Sequence, residues 1–89
     1  MEEQRVREEL GRRTRRRRMM LGLIQKDLAE RIDMPQPQLS RLEKGKIRTI
    51  DPAKLVRIAD TLHTTTDYLL SRSDEPGEIP QPGRLQRVA

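Results

Sequence analysis

The stretch "LGLIQKDLAERIDMPQPQLSRLEKGK", residues 21–46, decides the fold. From about Gln25 to Ile32, the apolar residues Leu28, Ala29 and Ile32 share one helical face. "DMP" at 33–35 breaks that helix. A second run, from about Pro37 to Lys44, turns Leu39 and Leu42 inward and meets its stop at Gly45. Pro35 and Pro37 look at first like linker. However, the first N–H groups of a helix have no carbonyl partner within it, so a proline placed there forfeits no hydrogen bond. Proline also pushes its predecessor out of the α region. The expectation is therefore Gln36 at the N-cap and Pro37 at the first helical position. The same letters at 80–82 precede no amphipathic run and read as linker.

On the N-terminal side, Glu2 to Leu21 is rich in Glu and Arg, lacks proline and favours helix. Val6, Leu10, Thr14 and Leu21 make one weak apolar stripe. Gly11 weakens its middle, so residues 1–9 are expected as a charged extension, separate or frayed, and Gly22 ends the segment. On the C-terminal side, "KIRTI" reads as a connector. Asp51-Pro52 is a helix start, an N-cap aspartate followed by a first-turn proline. Leu55, Ile58, Ala59 and Leu62 then recur at helical spacing. "HTTTD" caps a short fifth helix carrying Tyr68, Leu69 and Leu70. Residues 73–89 hold three of the six prolines and read as a tail that is disordered or orders on a partner. The organisation expected is an extension at 1–9, a domain at 10–72 and this tail. No internal repeat is evident.

With 89 residues, 33% apolar residues and a single tyrosine, the chain supports one small domain with a core of Leu, Ile, Met and Ala. That suits packed helices, an all-α fold. Without cysteine, neither disulfides nor thiolate metal sites are open to it. His63 alone cannot build a metal centre. No apolar run approaches the ~20 residues of a membrane span, and the N-terminus lacks a signal-peptide core. The expectation is a cytoplasmic protein without cofactor, metal or membrane contact. The formal net charge is +5, and the first 24 residues carry +4 of it. A polyanion is the natural partner of such an asymmetry.

Two short helices joined by a turn of roughly four residues form the unit that presents its second helix to the DNA major groove. Many helical hairpins share that spacing. The specific signal is the set Gly22, Gln25, Leu28, Ala29, Ile32, Leu39, Ser40, Leu42, Glu43 and Gly45, in which the chain resembles the phage-repressor and Cro-like (XRE) helix-turn-helix regulators. "LVRIADTLHTTTDYLL" extends the resemblance through the fourth and fifth helices, so that it covers about residues 10 to 72. It implies a compact five-helix bundle, a lambda-repressor-like DNA-binding domain that acts as a homodimer on a palindromic operator. Three positions depart from the pattern. Ile24 stands where the family has a capping Ser or Thr, Asp33 replaces the turn glycine, and "KIRTIDP" is longer than usual.

At the start of a recognition helix, outward side chains face base edges. There Gln36 can pair bidentately with adenine, and Arg41 with guanine or a phosphate. Pro37, Gln38 and Ser40 lie on the same approach. Gln25, at the start of the second helix, is placed for a phosphate at a helix N-terminus. Lys44, Lys46 and Arg48 suit flanking phosphates. The resemblance also implies a salt bridge between Arg18 and Glu43, tying the first helix to the end of the third. Leu69 and Leu70 are the dimer-interface candidates. The run "RRTRRRR" at 12–18 reads as a charged outer helix face with Arg17 partly covering the core through its methylenes, or as an auxiliary phosphate grip.

The leading expectation is a sequence-specific regulator of double-stranded DNA, a repressor. The second is an antitoxin whose tail, residues 73–89, holds a protein partner. The third is an RNA-binding or adaptor protein using the Arg run. No enzymatic activity is expected from the residues available: no cysteine, no phosphate-binding glycine loop and a lone histidine. No small-molecule site is evident.

Overall fold

The computed structural model describes residues 2–79. Along them the chain forms five helices: α1 (Glu2–Met20), α2 (Gln25–Arg31), α3 (Gln36–Glu43), α4 (Pro52–Thr61) and α5 (Thr66–Leu69). No strand occurs among the described residues. The core is aliphatic, as the composition requires. Leu28, Ile32, Leu39, Leu42, Ile58, Leu62 and Leu69 are fully buried, and Leu10, Met34 and Ile47 close its edges. Burying such side chains is the main favourable term, at about 1.5–3 kcal/mol each.

All five helices end alike. A left-handed residue follows each cap, namely Gly22, Asp33, Gly45, His63 and Ser71. The next N–H then bonds back across the last turn, as in Met34 N–H to Ala29 O (2.9 Å) and Lys46 N–H to Arg41 O (2.9 Å). Asp33 holds this geometry at φ 57° in place of the glycine. Lys54 from α4 supports it by donating to the carbonyls of Ile32 and Asp33.

The starts differ. Asp51 Oδ1 accepts from Ala53 N–H at 3.0 Å and Thr65 Oγ1 from Tyr68 N–H at 3.0 Å, but Ile24 gives α2 no side-chain cap. The start of α3 lies one residue earlier than the prolines suggested. Pro35 is the cap, Gln36 the first helical residue and Pro37 the second. The Pro35 carbonyl accepts from both Gln38 N–H (3.0 Å) and Leu39 N–H (3.1 Å). These two bonds outweigh the steric bias that Pro37 places on Gln36, and neither proline costs a helical hydrogen bond.

Two boundaries also shift. α1 runs unbroken from Glu2 through Gly11, so the charged residues expected as a separate extension are its first turns. Gly11 is there for packing. A Cβ on it would collide with the carbonyl oxygens of Leu42 and Glu43, the latter at 2.6 Å, because α1 crosses the end of α3 backbone to backbone. Residues 73–79, expected as part of a tail, lie against α1: Arg13 donates to Ser73 O and Arg17 to Gly77 O and Glu78 O. The remaining tail, residues 80–89, lies outside the described residues.

Candidate nucleic-acid interface

α3 has two faces set by its sequence. Leu39, Leu42 and Glu43 point inward and are buried. Gln36, Pro37, Gln38 and Arg41 point outward and are exposed, with Ser40 half-buried between the faces. Lys44, Lys46 and Arg48 follow, all exposed. Arg41 Nη2 lies 3.5 Å from the Lys46 carbonyl, so this side chain leans toward the connector after the helix. The outward row thus presents amides first and cations later.

The inner side of α3 is anchored by charge. Arg18 Nε donates to Glu43 Oε2 at 2.8 Å and its Nη2 to Glu43 Oε1 at 3.0 Å, a two-pronged pair with only 2% of the Glu43 side chain exposed. Such a fork fixes orientation as well as adding attraction. Arg18 Nη1 also donates to the Leu23 carbonyl (2.7 Å), which locks the loop before α2. Gln25 is placed differently from its expected role. Its Nε2 donates to Glu43 Oε1 at 3.0 Å, so the amide is engaged with the ion pair and stands half-buried at the start of α2. The uncapped start of α2 is therefore held from the side.

The Arg run divides by helical phase. Arg12, Arg15 and Arg16 are exposed, whereas Arg17 and Arg18 are buried and Arg13 is half-buried. Arg17 covers no core surface with its methylenes alone; it is 1% exposed and inserted whole. Its Nε donates to Leu62 O (2.8 Å), Nη2 to His63 O (2.7 Å) and Glu78 O (3.0 Å), and Nη1 to Gly77 O (2.9 Å). The first two carbonyls belong to the C-terminal end of α4, where the helix dipole favours a cation. Burial pushes this guanidinium below its ordinary pKa. Arg13 stacks over Tyr68, its Cζ 4.5 Å from the ring centroid. Arg12 bonds Glu9 at 2.6 Å, and that hydrogen bond holds the Glu9 carboxyl below the ordinary carboxylate range. In sequence, Arg17 reads only as far as methylenes laid on the core, and for Arg13 only its i, i+4 phase with Arg17 points inward.

Leu69 is a correction. It is fully buried in this chain's own core and offers no surface to a second copy. Leu70 is half-buried and lines a groove with Val6 of α1. Among the described residues no cluster of three or more His, Asp or Glu could hold a metal, and no helix is long and apolar enough to cross a membrane.

Residues 15–69 match the helix-turn-helix family model, more than half of the chain and all of α2 to α5. The chain belongs to the Cro/C1-type (XRE) helix-turn-helix family. It is similar to an uncharacterised HTH-type transcriptional regulator of Rickettsia conorii, with 38% identity over 69 residues. That alignment covers 78% of this chain and 54% of the relative, so the chain spans about half the length of the curated protein it matches. No solved structure matches it significantly. As an XRE helix-turn-helix protein it has α2 and α3 as the hairpin, with α1 and α4–α5 as its scaffold.

Proposed function

We propose that this chain is a sequence-specific regulator that binds double-stranded DNA through α3 and acts as a repressor, as a homodimer on an inverted repeat. The observation that carries this reading is the exposed polar row Gln36, Gln38 and Arg41 on a helix whose opposite face is fixed by Leu39, Leu42 and the Arg18–Glu43 pair. In this reading Gln36 pairs with a base edge, Arg41 with a guanine or a phosphate, and Pro37, Gln38 and Ser40 approach the groove. Lys44, Lys46 and Arg48 take flanking phosphates. Gln25 braces Glu43 first and contacts a phosphate second.

The RNA-binding alternative loses support, because Arg13, Arg17 and Arg18 are committed to internal carbonyls and Glu43. Selection of bound sites from a random duplex library at near-physiological salt tests the proposal. The expected result is an inverted repeat with half-sites one helical turn apart, about 34 Å. Enrichment lost on Gln36→Ala or Arg41→Ala assigns the recognition residues. Binding that tracks salt alone, with no enriched sequence, overturns it.

A further inference from the structure

We infer that the first turns of α1 add a phosphate-binding site to the DNA surface, built from Arg7, Lys46 and Arg48. This rests on the DNA-binding reading given above. A groove of about 410 Å³ lies between α1 and the connector after α3, lined by Gln4, Arg7, Gly45, Lys46, Ile47 and Arg48. Its geometry comes from Gly45. At φ 73° this residue closes α3, and a Cβ on it would come within 3.0 Å of Glu8 Cα. Only a glycine both adopts that turn and lets the α1 backbone approach so closely. The N-terminal turns of α1 are thereby seated on the connector, and Arg7 is brought beside Lys46 and Arg48.

Three cations share this groove, and a neutral amide separates Arg7 from the adjacent carboxylate. Gln4 Oε1 accepts from Arg7 Nη2 at 3.0 Å, while Gln4 Nε2 donates to Glu8 Oε2 at 3.0 Å. Gln4 therefore holds the guanidinium without neutralising it. Cations gathered this way repel one another until an anion enters, and a planar guanidinium matches two phosphate oxygens at once. The groove is continuous with the reading surface, since Arg41 leans on the Lys46 carbonyl. The ligand is a backbone phosphodiester of the duplex, just beyond the bases that α3 addresses. Arg7 lies ahead of residues 15–69, outside the segment that matches the family.

The test measures affinity of the full chain for its selected duplex between 50 and 200 mM salt. Each phosphate contact contributes a slope of about −0.9 in log K against log salt, so the advantage of the wild type over Arg7→Gln should shrink about 3.5-fold across that range. Arg7→Lys should keep the slope, and the preference for the selected site over scrambled duplex should be unchanged in Arg7→Gln. Arg5→Gln is the control. It removes the same charge from the same turns, but Arg5 lines the groove on the side of Val6 and Leu70. Equal slopes for wild type and Arg7→Gln, or equal losses for Arg5→Gln and Arg7→Gln, overturn the site. A wild type that binds no duplex overturns the proposed function, and this inference with it. A wild type that selects its site while Arg7→Gln is silent overturns the inference alone.

Discussion

On the buried arc of α1, Gly11, Thr14, Arg17 and Arg18 face the rest of the molecule, and on the outer face of α3, Gln36, Gln38 and Arg41 face solvent. Both surfaces are polar, and sequence alone gives them similar character. The two arginines of the α1 arc are closed: Arg17 meets four carbonyls and Arg18 a carboxylate and a fifth carbonyl. The α3 face is open, its one side-chain hydrogen bond among the described residues being the long one from Arg41 to Lys46. Polar groups that have found partners inside the chain hold the fold; those left facing water are available to something else. Substitutions on the first surface should cost stability and leave base preference alone. On the second the pattern should reverse.

The largest effect is expected from Arg17→Met. It keeps most of the volume but leaves four carbonyls without their donor, two of them at the end of α4. A loss of about 3 kcal/mol or more in denaturant unfolding is predicted. Arg17→Lys should recover little, because an ammonium cannot span the same fan of acceptors, and exposed Arg15→Met should stay within about 0.5 kcal/mol of wild type. Gly11→Ala comes next. Helix propensity favours alanine by about 1 kcal/mol, but the added Cβ meets backbone oxygens that no rotamer change relieves. Net destabilisation of about 2 kcal/mol is expected, and a stabilised variant would break the backbone-to-backbone account of the α1–α3 crossing.

Gln36→Ala should sharpen the contrast from the other side. Thermal unfolding should be unchanged, while discrimination at one base pair falls by about 1–3 kcal/mol. The smallest effect belongs to Glu9→Gln. The Glu9 carboxyl titrates below its ordinary value, chiefly through the Arg12 hydrogen bond. Its contribution is therefore present above the unfolded carboxylate pKa and lost as pH falls through the lower folded one. For so exposed a pair the contribution is small, and it fades with salt.

Much of this was legible in residues 21–46. Leu28, Ala29, Ile32, Leu39 and Leu42 gave two helices and their inward faces, and Asp51-Pro52 gave a capped start. The shift of α3 by one residue was not legible, because it turns on which carbonyl collects two N–H bonds. Gly11 misled, since a glycine in a helix looks like a weak point unless the opposing backbone is known. Arg13 and the full insertion of Arg17 were hidden for a related reason: their carbonyl acceptors lie 45 to 61 residues away in sequence. Leu69 and Leu70 differ by one position, and only the phase fixed by Thr65 sends the first into the core. Gln25 combined an expected place with an unexpected partner, as its amide turns back to Glu43.

The bonds from Arg17 to Gly77 and Glu78 bear on where this module can be cut and joined. A protease needs several residues of free, extended chain, and the segment after α5 is tethered through its carbonyls to a side chain in the interior. Fragments that end with the matched segment at residue 69 would strip two of the four acceptors from a buried guanidinium. A fusion joint placed beyond residue 79 leaves that cradle whole. As a unit for engineering, the module extends about ten residues past its last helix.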